Sequence, residues 1–460
     1  MKIMNSNSIR AEILSTGDEV LWGDIDDTNS SWLSRKLWES GVDVVRISCV
    51  GDRLEDIAGI MREISGRSDI VLVTGGLGPT SDDLSAEAAA LASDDIIVLN
   101  QPALSSMKSY FSKRNWNLSD DNIKQAMLPS RAGVMENLHG TAPGFYTELG
   151  GTVFFFMPGV PKEMKPMYKN GVLPIIKERF LTNPTNQSKH FITRFKLFGL
   201  PESKVSSRLK GFNQEFPDLK LGFRASLPLI EVKFSGREKD SSTNGSLGED
   251  NPFIGGELSI KNQMSDMNDQ MSNAAKWVSS HLEEYIFSYT GLNMEQELGR
   301  VLALKGKTVA VAESCTGGLI GSMLTDVAGS SDYFLMSAVT YSNEAKIKIL
   351  GVNRDTIIQY GAVHEETVKQ MAQGVMRVAG SDYGVATSGI AGPGGGTDEK
   401  PVGTVCIGIA GTGIDGQPFV KAYRYLFTYG DRAMNKKIFA VKAMDLLRRE
   451  ISGSLLMLHH

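Results

Sequence analysis

D-I-V-L-V-T-G-G-L-G-P-T-S-D-D, residues 69–83, runs an apolar segment into a glycine turn and then into polar residues suited to a helix start. The short, continuous apolar run Asp69–Thr74 is what a parallel strand buried on both faces requires. Working outward, Ala11–Leu14 reads as a strand ending at Thr16-Gly17-Asp18-Glu19. Trp32–Glu39 reads as a helix and Val42–Val50 as a strand. Leu54, Ile57, Ile60, Met61 and Ile64 recur at helical spacing. Strands alternating with helices predict an open parallel sheet with helices on both faces. This block ends near Pro174.

Two further blocks follow. Phe191–Phe198, Leu219–Ala225 and Leu229–Phe234 read as strands, with helices over Pro201–Leu209 and Met264–Tyr285. Gly236–Asp250 is polar throughout and reads as a mobile loop. From Glu295 the α/β alternation returns: strands at Thr308–Ala312, Phe334–Val339, Tyr383–Thr387, Val402–Ala410 and Ala422–Phe427. Helices are expected at Glu295–Leu304, Gly318–Leu324, Glu344–Leu350, Glu365–Val378 and Arg432–Leu447. The expected fold class is α/β, two doubly wound α/β domains joined by a small α+β module, with boundaries at 9–175, 176–290 and 291–455. The length of 460 residues agrees, at roughly 150 residues per domain.

Composition removes several function classes. Lys plus Arg is 48 and Asp plus Glu is 53, for a net charge of −5. Bulk nucleic-acid binding needs clustered positive charge, so direct binding is disfavoured. Cys49, Cys315 and Cys406 make neither a disulfide framework nor a C-x-x-C pair. No apolar run approaches the roughly 18 residues of a membrane span, and Met1–Arg10 lacks a signal-peptide core. A cytoplasmic location without membrane partners is expected.

Ligands of open α/β sheets bind at the carboxyl ends of strands. In the third block four such ends are chemically marked. A-E-S-C-T-G-G (Ala312–Gly318) sets Ser314 on a strand-to-helix turn, with Glu313, Cys315, Thr316, Gly317 and Gly318 as substrate contacts. Its amides and helix start suit an oxyanion. V-T-Y-S-N-E-A-K (Val339–Lys346) supplies Tyr341 and Lys346. Ser388–Thr404 is a glycine-rich loop that can wrap a phosphate or ring, through Ser388, Gly389, Gly392, Gly394 and Gly395. Gly430-Asp431-Arg432 brings a cap and a guanidinium that can fork onto a phosphate. Each signal alone is weak: glycine loops are mostly turns, and a cysteine is usually a small buried hydrophobe. A serine with Tyr and Lys, and no nearby His or acid pair, fits a nucleophile activated by a lysine kept neutral by burial. Hydrolysis of an amide in a phosphate-bearing substrate is the matching reaction class. His364 is isolated, and no metal-ligand cluster is visible in this block.

In the first block, Thr16–Glu19 supplies Asp18 and Glu19. Gly75, Gly76 and Gly78, with Thr80 and Ser81, form a candidate phosphate cradle. Asp82 and Asp83 complete four acids that suit a hard divalent cation bridging a pyrophosphate. Ser81 or Asp82 could equally serve only to cap a helix. His139–Phe145 and Met157–Met164 read as two more loops over the same edge.

The third-block motifs A-E-S-C-T-G-G, V-T-Y-S-N-E-A-K and G-I-A-G-P-G-G-G-T-D-E-K-P-V-G-T (Gly389–Thr404) resemble the CinA family, formerly competence/damage-inducible protein A. The resemblance implies deamidation of nicotinamide mononucleotide to the nicotinic acid nucleotide with release of ammonia, without a cofactor. It implies Ser314 as nucleophile, Tyr341 and Lys346 as activating groups and Arg432 as a further active-site residue. Y-G-A-V-H-E-E-T departs from the family, which has Ser where His364 stands.

T-G-D-E-V-L-W-G-D-I-D-D-T-N-S-S-W-L (Thr16–Leu33) resembles the MoaB/MogA-type molybdopterin-binding fold in its CinA form, with Trp22 and Asp24 as unusual choices. That form implies a metal-dependent ADP-ribose pyrophosphatase, with Mg2+, Mn2+ or Co2+ and with K+. The carry-over falls on Asp18, Glu19, Gly76, Gly78, Thr80, Asp82 and Asp83. The middle block resembles the family's KH-like module but lacks the G-x-x-G loop that clamps nucleic-acid backbone. A homodimer is implied. The alternatives are a molybdopterin-binding protein, or a competence or recombination accessory protein, without deamidase activity.

Overall fold

The computed structural model describes residues 9–182, 190–237, 269–413, 415–428 and 430–453. These residues divide into two compact units, with the main boundary between Phe191 and Ile192. Residues 238–250 of the expected mobile loop, and 264–268 of the expected helix, lie outside the described residues.

In the first unit a six-stranded sheet runs in the order Asp43–Val50, Arg10–Thr16, Ile70–Thr74, Thr152–Met157, Gly144–Leu149, Gly133–Met135. The first four strands are parallel and the last two are added antiparallel. The sheet is therefore mixed, not wholly parallel. The loop Leu149–Thr152 returns the chain as a hairpin, which needs no crossover helix. Alternation explains the two covered faces. Ile70, Leu72, Val153 and Phe155 enter one core, while Val71, Val73, Phe154 and Phe156 enter the other.

The second unit holds two sheets. The smaller follows the order Lys220–Ser226, Leu229–Arg237, His190–Phe198, Ile286–Ser288. The larger follows Phe334–Val339, Val309–Glu313, Tyr383–Gly389, Thr404–Thr412, Pro418–Leu426; its first three strands are parallel and its last two antiparallel. Val309 and Val311 face the core formed with helices Met294–Leu304 and Arg432–Ser452. Ala310 and Ala312 face the helix Glu365–Ala379. Phe198, Leu229 and Phe287 of the smaller sheet belong to the first of these cores, so the middle block is packed onto the third.

The helix Leu54–Ile64 and the strand Phe334–Val339 match expectation residue for residue. The helix expected from Trp32 begins earlier, at Thr28, because the Asp27 carboxylate caps it by accepting from Ser30 N at 2.8 Å. The helix expected to start at Thr80–Asp83 begins at Ser85 and runs to Ala92, whereas Gln101–Ser112 and Arg354–Tyr360 are helices that the sequence reading did not place. Among the described residues no helix is long and apolar enough to cross a membrane.

Candidate active sites

The strand Val309–Glu313 delivers Ser314 to a turn that continues through Thr316, Gly317 and Gly318 into the helix Leu319–Thr325. Gly317 and Gly318 take φ of +61° and +92°, a region that L side chains avoid. The fully buried Glu313 carboxylate accepts from the amides of Gly318 (2.9 Å), Ile320 (3.1 Å) and Gly321 (2.9 Å) and from the Ser337 hydroxyl (2.9 Å). The expected anion at this helix start is thus the protein's own. Glu313 holds the turn rather than a substrate, and those amides cannot hold an oxyanion. Gly317 N is also spent, on Ser314 O at 3.2 Å.

The strand Phe334–Val339 leads to Thr340 and Tyr341, and Ser342 caps the helix Asn343–Leu350 by accepting from Ala345 N. This cap sends Lys346 inward. Its side chain is only 1% exposed. Lys346 Nζ lies 3.1 Å from Ser314 Oγ and donates to the carbonyls of Thr340 (2.9 Å) and Tyr341 (3.1 Å). Among the described residues no carboxylate pairs with it. Burial holds its pKa below the ordinary lysine value, because desolvation penalises the ammonium. A neutral amine has two N–H bonds, and two carbonyls are present to take them. Its lone pair is then left for the Ser314 hydroxyl.

Tyr341 reaches the amine by its backbone carbonyl. The residue is 62% exposed and its hydroxyl accepts from Arg432 Nη2 at 3.2 Å. Arg432 opens the helix Arg432–Ser452, capped by Asp431 through Met434 N (2.8 Å). Its Nη1 donates to Gly392 O at 2.6 Å, so both terminal nitrogens hold protein oxygens. Asn435 adds a bond from Nδ2 to Ala391 O at 3.0 Å, and its buried Oδ1 has no partner. This helix therefore fixes the glycine-rich loop, and neither Asn435 nor the adjacent Lys436 was singled out from sequence. Their spacing of three and four residues from Arg432 was the available signal.

Cys315 belongs to the apolar core, and burial pushes its thiol up to about 12. That argues for a protonated small hydrophobe and against a thiolate nucleophile. Thr316 is fully buried, its hydroxyl 2.8 Å from that of Thr387. Ser388 is buried in its strand, and a Cβ at Gly389 would meet Thr404 O at 2.5 Å. Cys315, Thr316, Ser388 and Gly389 thus build the walls behind the site instead of contacting a ligand. Gly394 stands in open space, and Gly395 and Gly392 have φ of +85° and +89°.

The first unit carries a cleft of about 600 Å³ at the carboxyl ends of its parallel strands. Gly75, Gly76 and Gly78 line it, as do Thr141, Ala142 and Pro158–Pro161 from the two loops read over this edge. Glu19, Asp82 and Asp83 line it too; Asp18, Thr80 and Ser81 do not. Asp18 exchanges hydrogen bonds with Asp52: each carboxylate accepts from the other's amide, at 3.2 and 3.0 Å. Thr80 spends its amide and hydroxyl on Asp83, at 2.9 and 2.5 Å. Neither Ser81 nor Asp82 caps the following helix, whose N-cap is Leu84 without a side-chain bond. The cleft has four acids that sequence reasoning missed: Asp26, Asp27, Asp52 and Glu163. Burial and the neighbouring acids raise the Asp52 pKa. No Lys or Arg lines the cleft among the described residues. Nor do three or more His, Cys, Asp or Glu converge there in a form that could hold a metal ion. The four expected acids are thus not a preformed cage.

Comparison with known proteins gives the same two parts. Residues 292–451 match the family described as "CinA C-terminal domain", and residues 12–178 match "Probable molybdopterin binding domain". A "CinA-like protein" of Desulforapulum autotrophicum is 47% identical over 445 residues, covering 96% of this chain and 98% of that protein. The chain belongs to the CinA-like proteins. Another member, from Desulfosudis oleivorans, is 47% identical over 96% of this chain and 99% of its own length. The solved CinA structure from Thermoplasma acidophilum, titled as of unknown function, is 33% identical, with a TM-score of 0.35. It covers 37% of this chain and 100% of that one.

In this CinA-like protein, His364 takes the N-cap of the helix Glu365–Ala379. Its Nδ1 accepts from Glu366 N at 3.1 Å and its ring stacks on Tyr360 with centroids 4.5 Å apart. Serine is itself a preferred N-cap, so the replacement exchanges one capping acceptor for another.

Proposed function

We propose that the C-terminal domain hydrolyses the amide of nicotinamide mononucleotide, giving the nicotinic acid nucleotide and ammonia. The observation that carries this reading is the buried Lys346 amine, with no carboxylate partner among the described residues, 3.1 Å from Ser314 Oγ. Neutral Lys346 takes the Ser314 proton as Oγ attacks the amide carbon. The tetrahedral intermediate collapses as the ammonium returns that proton to the leaving nitrogen, and ammonia departs. Water, deprotonated by the same amine, then cleaves the acyl-serine to the acid. Arg432 and Tyr341 brace the glycine-rich loop against the substrate. No step needs a cofactor. Ammonia release from nicotinamide mononucleotide by the purified protein, without added metal, tests the reading; a folded protein that releases none would overturn it.

For the N-terminal cleft the proposal is hydrolysis of ADP-ribose to AMP and ribose 5-phosphate. Among the described residues seven acids and no Lys or Arg line the cleft, so a pyrophosphate would enter it with cations. A divalent ion of the Mg2+ type binds through one or two carboxylates plus substrate phosphates, which suits dispersed acids such as Glu19, Asp52 and Asp82. When bound, it would neutralise the pyrophosphate. The family match to a molybdopterin-binding domain favours a second reading, and calorimetry with ADP-ribose against molybdopterin separates the two.

A further inference from the structure

We infer that Lys436 is the cation that receives the phosphate of the C-terminal substrate and so makes the site selective for a nucleotide over its nucleoside. The inference rests on the deamidase reading above. A substrate with a phosphate dianion needs a counter-charge within reach of the nucleophile's turn. Arg432, the obvious candidate, spends one N–H of each terminal nitrogen on Gly392 O and Tyr341 OH, which ties its guanidinium to the glycine-rich loop. Lys346 is sealed among carbonyls beside Ser314. The start of the helix Leu319–Thr325 is already satisfied by Glu313.

Lys436 is different. It stands one helical turn after Arg432, on the same face of Arg432–Ser452. Its Nζ lies 3.5 Å from where a Cβ on Gly317 would be, beside the turn that carries Ser314 three residues earlier. Because Gly317 has no side chain, nothing at that residue stands between the ammonium and a ligand crossing the turn. Lys436 is half-buried and makes no ion pair or hydrogen bond among the described residues. A partly desolvated cation without a counter-ion attracts an anion more strongly than a hydrated surface lysine does. Next to it, the orphaned Oδ1 of Asn435 is an acceptor suited to a hydroxyl such as those of a ribose.

The test compares nicotinamide mononucleotide with nicotinamide riboside, its phosphate-free counterpart, in wild type, Lys436→Met and Lys436→Arg. Lys436→Met should raise the KM of the nucleotide about tenfold to a hundredfold, the scale of one charge-assisted hydrogen bond. The preference for nucleotide over riboside in kcat/KM should fall by the same factor, and Lys436→Arg should restore most of it. A preference that survives in Lys436→Met would overturn the inference, whether activity on both substrates falls together or not at all. If the wild type releases ammonia from neither substrate, the deamidase reading is what fails. The cation site is then read by the rise in melting temperature that inorganic phosphate produces. Loss of that rise in Lys436→Met supports the site, and an equal rise in both proteins overturns it.

Discussion

The two strand-end sites of this chain solve opposite electrostatic problems. The C-terminal site keeps a lysine amine with no carboxylate partner among the described residues, and burial favours its neutral form. The N-terminal cleft collects carboxylates without a lysine or arginine among the described residues lining it. One site buries an amine beside a hydroxyl; the other gathers negative charge around an open cleft. Both sit at carboxyl ends of parallel strands, so topology places a site and side chains choose its chemistry.

The comparison breaks first at Ser314. Ser314→Ala should lower ammonia release by about 10⁴-fold or more while ADP-ribose cleavage continues at the wild-type rate. Cys315→Ala should retain deamidation. If the cysteine variant were the dead one, the thiol would be the nucleophile and the serine assignment would fail.

Lys346→Met should cost about 10²- to 10⁴-fold in kcat, the usual worth of a positioned base. Lys346→Arg should be no better, because a guanidinium stays protonated. The wild-type rate should rise with pH as the ammonium deprotonates. Burial favours the neutral form, so the midpoint should fall below the ordinary lysine pKa of 10.5. A rate that falls as pH rises through that window would contradict a neutral amine. Chelation by EDTA should abolish the N-terminal activity and leave ammonia release intact, which is the sharpest single contrast between the two sites.

Glu313→Gln should destabilise the second unit by about 2–4 kcal/mol, since an amide accepts at only one oxygen where the carboxylate takes four bonds. Denaturant unfolding measures it, and a loss under 1 kcal/mol would deny Glu313 its anchoring role. Smallest of all, His364→Ser should shift stability by no more than about 0.5 kcal/mol, whereas His364→Ala should cost about 1 kcal/mol.

The amino-acid sequence by itself determined the alternation of elements and their broad boundaries. Buried strands such as Ile70–Thr74 are continuous apolar runs, and Leu54–Ile64 is amphipathic at helical period. It also marked the turns where Ser314 and Tyr341 follow their strands, the helix that carries Lys346 and the helix start at Arg432. What each group touches was decided only by tertiary structure. Glu313 reads as a substrate contact until the helix start folds onto it. Thr80 reads as part of a phosphate cradle until Asp83 turns back and takes its donors. The acids Asp26, Asp52 and Glu163 lie apart in the chain and line the same cleft only in the folded structure. Sequence records residue type and local period, whereas burial and partner choice depend on contacts between segments dozens of residues apart. Those contacts bury the Lys346 amine beside Ser314 and hold its pKa below the ordinary lysine value.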